Sequence, residues 1–166
     1  MKILIPLDGS AAARAAVRHA IALFRTGVPV QALVLHVQPR FHRHIAQFTS
    51  RAAREELRAE RSRAALAPAL EELVRFRVPC SSLTELGQPA ERIAAVAERE
   101  RVDAIVMGVG RHPAWLGWLN PSIAEQVMAR TDIALTALPY GRASALERFA
   151  LPVGLGALAA LIWAAD

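Results

Sequence analysis

Short apolar runs alternate with longer stretches of helical periodicity along most of the chain, and that alternation restricts it to a layered α/β architecture. Lys2-Ile-Leu-Ile-Pro-Leu7 reads as a short buried strand. Asp8-Gly9-Ser10 turns it into a helix whose apolar positions, Ala13, Ala16, Val17, Ala20, Ile21 and Phe24, share one face, with Ser10 as the expected N-cap. Gly27 ends this helix, and Val30 to Val37 reads as the second strand. After a loop from Pro39 to Thr49, Ser50 to about Phe76 reads as a long charged helix with Leu66, Leu70, Leu73 and Val74 on its apolar face, kinked or broken near Pro68. Pro79 to Leu86 is the third strand. Gly87-Gln88-Pro89 opens a helix with Pro89 in its first turn and Ile93, Val96 and Ala97 inward. The expected fold is an open sheet of five parallel strands with helices on both faces.

The fourth strand and the segment beyond it carry the chemistry. In Asp103-Ala-Ile-Val-Met-Gly-Val-Gly110 an apolar run, Ala104 to Met107, ends at Gly108. Beyond a loop, Ser122 can cap a helix through its hydroxyl, and Glu125 can reach back to complete a capping box. A buried strand, a loop with glycine and a well-capped helix are the parts of a phosphate site, because the free N–H groups and dipole of a helix start favour an anion. Asp8, at the carboxyl end of the first strand, is well placed to meet a ribose or another polar ligand group. The plainer reading makes Ser122 a cap and Gly108 a tight turn, with no ligand.

With these segments in view, the chain resembles the universal stress protein family over residues 1–139. The resemblance rests on the opening strand with its Asp-Gly-Ser turn, on Ile105-Val-Met-Gly108 with Ser122-Ile-Ala-Glu-Gln-Val127, and on Asp132-Ile-Ala-Leu-Thr-Ala-Leu138 as the last strand. It implies a Rossmann-like domain and, where ATP binds, Asp8 near the ribose, Val37 giving backbone contacts to the base, and Gly108, Ser122 and Ile123 near the phosphates. It also implies a homodimer through Ile133 to Leu138, and a bare apolar edge strand would itself invite pairing. Two positions depart from the family's ATP-binding glycine pattern. Arg111 and Pro121 stand where it has glycine. Arg111 puts a side chain where the backbone should approach a phosphate, although it also offers a cation, and Pro121 removes an N–H donor. The expected function is therefore a stress-response accessory protein acting by binding and dimerisation, with weak or no ATP binding; the alternative is an ATP-binding switch or slow ATPase of the same family.

Other chemistries find little support. No serine, histidine and carboxylate form a credible triad. His42 and His44 flank Arg43 without an acidic or cysteine partner nearby, so no metal is expected. The arginines from Arg40 to Arg63 are interleaved with Glu55, Glu56 and Glu60 and lack aromatic partners, so a solvated helix face is expected and no nucleic acid. His19 and His36 read as half-buried structural histidines. The lone cysteine, Cys80, cannot form an intrachain disulfide and reads as a small buried hydrophobe. With no secretory signal at Met1-Lys2, this fits a cytoplasmic domain. Trp115 and Trp118, in the loop His112–Leu119, are expected to pack that loop locally.

The organisation changes at Pro139-Tyr-Gly141, which is expected to break the last strand. Residues 140–148 read as a linker, and Phe149 to Ala165 comes next without a charged residue. As a helix those seventeen residues would span about 26 Å, slightly short of a bilayer core of about 30 Å. Such a helix has no polar face to turn to water. Arg142 and Arg148 precede it and only Asp166 lies after it, so the tail is a candidate membrane anchor that leaves the domain at the inner, cytoplasmic face.

Overall fold

A computed structural model describes residues 1–39, 50–110 and 122–140. The elements are β1 (Lys2–Pro6), α1 (Ala11–Arg25), β2 (Gln31–Gln38), α2 (Arg51–Arg75), β3 (Cys80–Leu86), α3 (Pro89–Arg99), β4 (Ala104–Gly110), α4 (Ile123–Met128) and β5 (Ala134–Tyr140). The five strands form one sheet in the order β3-β2-β1-β4-β5, and every neighbouring pair is parallel. This is the architecture expected from the alternation. The strand order reverses between β1 and β4, which opens a crevice at their carboxyl ends.

The period of two along the central strands divides the core into two layers. Ile3, Ile5, Val34 and Val106 face one side and pack with Ala13, Ala16, Val17 and Ala20 of α1 and Leu66 and Leu73 of α2. Leu4, Leu33, Leu35, Ile105 and Met107 face the other and pack with Ile93, Val96 and Ala97 of α3 and Val127 of α4. β1 is held to β4 partly by Asp103, whose carboxylate accepts from the Lys2 N–H at 2.6 Å while its own N–H donates to the Lys2 carbonyl at 2.8 Å. The Lys2 ammonium bridges to Glu100 at 3.0 Å and lowers the pKa of that carboxyl.

The helix starts follow their caps. Ser10 Oγ accepts from the Ala13 N–H and Ser50 Oγ from the Ala53 N–H, each at 3.1 Å. At the carboxyl end of β2, Gln38 Nε2 donates to the Arg58 carbonyl at 2.8 Å and to Ser62 Oγ at 2.7 Å, which ties α2 to β2. His19 and His36 are both half-buried, and His36 Nδ1 lies 2.8 Å from the Leu7 carbonyl oxygen. Cys80 is half-buried, not fully buried, and burial pushes its thiol pKa up.

Four features differ from the expectations of the sequence. α2 is not broken at Pro68 but runs as one helix through it, where Pro68 and Ala64 are both exposed residues. Val74 is 64% exposed and lies off the apolar face of that helix. β4 continues through Gly108 to Gly110. β5 continues through Pro139 to Tyr140, pairing Val109 with Pro139 and Gly110 with Tyr140. A proline is tolerated there because β5 is an edge strand, whose outer side has no ladder partner. Residues 141–166, which include most of the expected linker and all of the apolar tail, lie outside the described residues.

Gly108 is therefore a strand residue, and its lack of a side chain has a packing cause. A Cβ built at this position would lie 1.7 Å from the Ala12 carbonyl oxygen and 2.2 Å from its carbon, both in the backbone of the first turn of α1. Backbone cannot rotate away as a flexible side chain can. Gly108→Ala is expected to destabilise the fold by at least the ~1–3 kcal/mol typical of overpacking. Urea unfolding checks this; an unchanged midpoint would show that α1 yields at no cost.

Candidate functional site

The site is built where β1 and β4 end. β1 leads through Leu7, whose N–H donates to the Leu35 carbonyl at 2.8 Å, into Asp8-Gly9-Ser10. Gly9 takes φ +81°, the left-handed conformation that glycine reaches without a Cβ penalty. Asp8 Oδ1 accepts from the Ser10 N–H at 2.9 Å, and Ser10 Oγ then caps α1. The turn is thus closed by its own side chains, with one oxygen of the Asp8 carboxylate committed to it.

Across the crevice, α4 carries the capping box that its sequence implies. Ser122 Oγ accepts from the Glu125 N–H at 3.2 Å, and Glu125 Oε2 accepts from the Ser122 N–H at 2.7 Å. Between α4 and the Asp8 turn lies a cleft of about 390 Å³. Asp8, Val37, Gly108, Ser122 and Ile123, which come from four separate segments of the chain, all line it. Asp8 is exposed, Val37, Gly108 and Ser122 are half-buried, and Ile123 is 45% exposed at the mouth. Leu35, Ile93 and Met107 give the cleft an apolar wall, and Pro89, Ala12 and Gly110 complete parts of its rim.

Sequence reasoning does not place Ile93 or Met107 in the site. Both carry the signal of a core residue, and they lie at the end of the core that opens into the crevice. Arg111, Pro121 and the loop with Trp115 and Trp118 lie outside the described residues, as do His42, Arg43 and His44. Among the described residues, no group of three metal-ligating side chains comes together.

The sequence pattern of the universal stress protein family matches residues 1–139. The chain belongs to the universal stress protein family. Solved structures agree in fold. The hypothetical protein MJ0577, solved as a test case of structural genomics, is 26% identical, with a TM-score of 0.67 over 86% of this chain and 97% of that one. A family member from Arabidopsis thaliana, solved with AMP bound, is 15% identical, with a TM-score of 0.61 over 85% of this chain and 92% of that one. A family member from Archaeoglobus fulgidus, solved in complex with dAMP, is 18% identical, with a TM-score of 0.58 over 82% of this chain and 96% of that one. No curated protein matches the chain.

The capping box has a measurable consequence. α4 has only six residues and so depends heavily on its ends. Ser122→Ala is expected to cost about 0.5–2 kcal/mol of stability. A cycle with Glu125→Ala should show coupling between the two, and strictly additive losses in chemical denaturation would show that the box contributes no reciprocal bond.

Proposed function

We propose that this chain is a stress-response accessory protein that acts by binding and self-association, with a cleft that accepts the nucleoside part of an adenine nucleotide and gains little from a polyphosphate. The observation that carries this reading is the Glu125 carboxylate, which already occupies the Ser122 N–H at the start of α4. A phosphate brought to that helix start meets a fixed negative charge. Two unit charges 4 Å apart interact by ~1 kcal/mol in water and by ~4 kcal/mol at the effective dielectric of a protein surface. In sequence, Pro121 has no N–H to donate, and Arg111 carries a side chain where the family's ATP-binding pattern has glycine. The nucleoside end keeps its parts. Leu35, Val37 and Met107 form an apolar wall, and Asp8 retains a carboxylate oxygen for a ribose hydroxyl. Relatives solved with AMP and dAMP support an adenine nucleotide as the ligand class.

Calorimetry with adenosine, AMP and ATP tests this directly. Adenosine and AMP should bind with affinities within tenfold of ATP, and Arg111→Gly with Pro121→Gly should strengthen ATP binding selectively. Micromolar ATP affinity in the unaltered chain, far above that for AMP and lost in Asp8→Ala, would favour a nucleotide switch or slow ATPase instead.

Self-association is assigned to β5. Among the described residues it is an edge strand paired with β4 alone, and Ala134, Thr136 and Ala137 are exposed along it. An unpaired edge presents a row of N–H and C=O groups to a second copy. The tail adds a membrane to this picture. No helix among the described residues is long and apolar enough to cross a membrane. The uncharged run Phe149–Ala165 lies beyond them and beyond the family match, and it is assigned as the anchor that holds the domain at the cytoplasmic face of a membrane. Light scattering of the full chain in detergent should report a dimer, and Thr136→Lys, a charge on the exposed edge, should yield a monomer. A monomer at high concentration without the substitution would rule out the dimer.

A further inference from the structure

The two faces of the sheet differ in charge. On one face, α1 carries Arg14, Arg18 and Arg25 and no acidic residue, and α2 carries six arginines against five glutamates. On the other face, α3 has two arginines and two glutamates, and α4 has one glutamate. Among the described helices, the excess positive charge is concentrated on α1. At 3.6 residues per turn, Arg14, Arg18 and Arg25 fall within about 40° of one another, in a row about 16 Å long. All three are exposed, and among the described residues none pairs with a carboxylate. Their exposed neighbours on the helix are small or polar, so nothing there provides a stacking platform for a base. Three cations held in a straight row on a rigid helix suit an extended planar array of negative charge.

We infer that the face covered by α1 and α2 docks on an acidic lipid surface, with Arg14, Arg18 and Arg25 over the headgroups. The choice of a lipid source rests on the reading of Phe149–Ala165 as an anchor. An apolar segment inserted nearby holds the domain against a bilayer, and Arg142 and Arg148 precede that segment on the same chain. Anchoring raises the local concentration of headgroups around the domain, so even weak contacts become populated. Each arginine near an acidic leaflet contributes roughly fivefold, which corresponds to about 1 kcal/mol, and the attraction fades beyond a Debye length. Three together amount to a preference on the order of 100-fold for this face over a neutral one at low salt.

The test uses the full chain, purified in detergent and mixed with vesicles of phosphatidylcholine alone or with phosphatidylserine added. Flotation with the neutral vesicles reports the tail. Arginine modification by phenylglyoxal, read peptide by peptide in the mass spectrometer, reports the face. On mixed vesicles the modification of Arg14, Arg18 and Arg25 should slow at least tenfold relative to neutral vesicles. Arg99 and Arg130, in and after the helices of the opposite face, should be unaffected, and high salt should abolish the protection. The variant Arg14→Gln, Arg18→Gln, Arg25→Gln should still float with neutral vesicles but lose the extra, salt-sensitive association with the mixed ones. Equal modification rates on both vesicle types would overturn the docking face while leaving the anchor standing. Failure to float with neutral vesicles, with protection retained on mixed ones, would overturn the anchor alone. Absence of both would overturn both. Equal protection of the three arginines by duplex DNA would assign the row to nucleic acid and overturn the lipid assignment.

Discussion

The backbone contact between the first turn of α1 and β4 at Gly108 is the constraint on which the rest of the molecule depends. Only hydrogen fits between Gly108 Cα and the Ala12 carbonyl. That approach brings the start of α1 down onto the carboxyl end of β4, and with it the Asp8-Gly9-Ser10 turn. The crevice between β1 and β4 follows from parallel strands whose order reverses, but its width follows from this contact. A larger residue at position 108 would lift α1 and move Asp8 and Ser10 away from the wall formed by Met107 and Leu35. The glycine therefore shapes the cleft from behind, through packing.

The polar groups around the cleft are largely committed to local structure. Asp8 Oδ1 closes its turn, Ser10 Oγ caps α1, and Ser122 and Glu125 satisfy one another at the start of α4. Groups that already hold a partner offer a ligand only the difference between two hydrogen bonds, about 1 kcal/mol or less each. The apolar wall is itself mostly buried: Leu35, Ile93 and Met107 belong to the core, and Val37 beside them is half-buried.

The order of elements was legible in the sequence because the signals there are local. Ser10 and Ser122 mark helix starts and cap as expected, and the buried runs around Leu4 and Ile105 place the central strands. The five cleft residues Asp8, Val37, Gly108, Ser122 and Ile123 were also legible, through motif and family spacing. The ends of β4 and β5 were not. Gly108 and Pro139 are breakers by propensity, yet parallel pairing between Val109 and Pro139 outweighs propensity at an edge where the missing N–H has no partner to disappoint. Pro68 does not end α2 for a related reason: the cost of a proline in a helix depends on its tertiary surroundings, and here Pro68 and Ala64 are both exposed. Gly108 is necessary, as its sequence context implies, but for packing and not for a turn, because no local signal reveals a helix backbone lying within van der Waals distance.

The surfaces assigned to this chain lie on different sides of one sheet, so they do not compete. The cleft opens at the carboxyl ends of β1 and β4, the edge proposed for self-association is the outer side of β5, and the arginine row lies on α1, over one face of the sheet. Pairing two copies through β5 extends the sheet sideways and leaves the α1 and α2 layer of each copy uncovered. Contact of that layer with headgroups leaves β5 with its free edge and the cleft with its mouth between Asp8 and Ile123. A flat charged face also suits a lipid surface better than it suits a second copy, because like faces brought together would oppose arginine to arginine. Charge complementarity thus assigns the two kinds of partner to two kinds of surface: the uncharged edge strand to another copy of the chain, and the basic face to an acidic array.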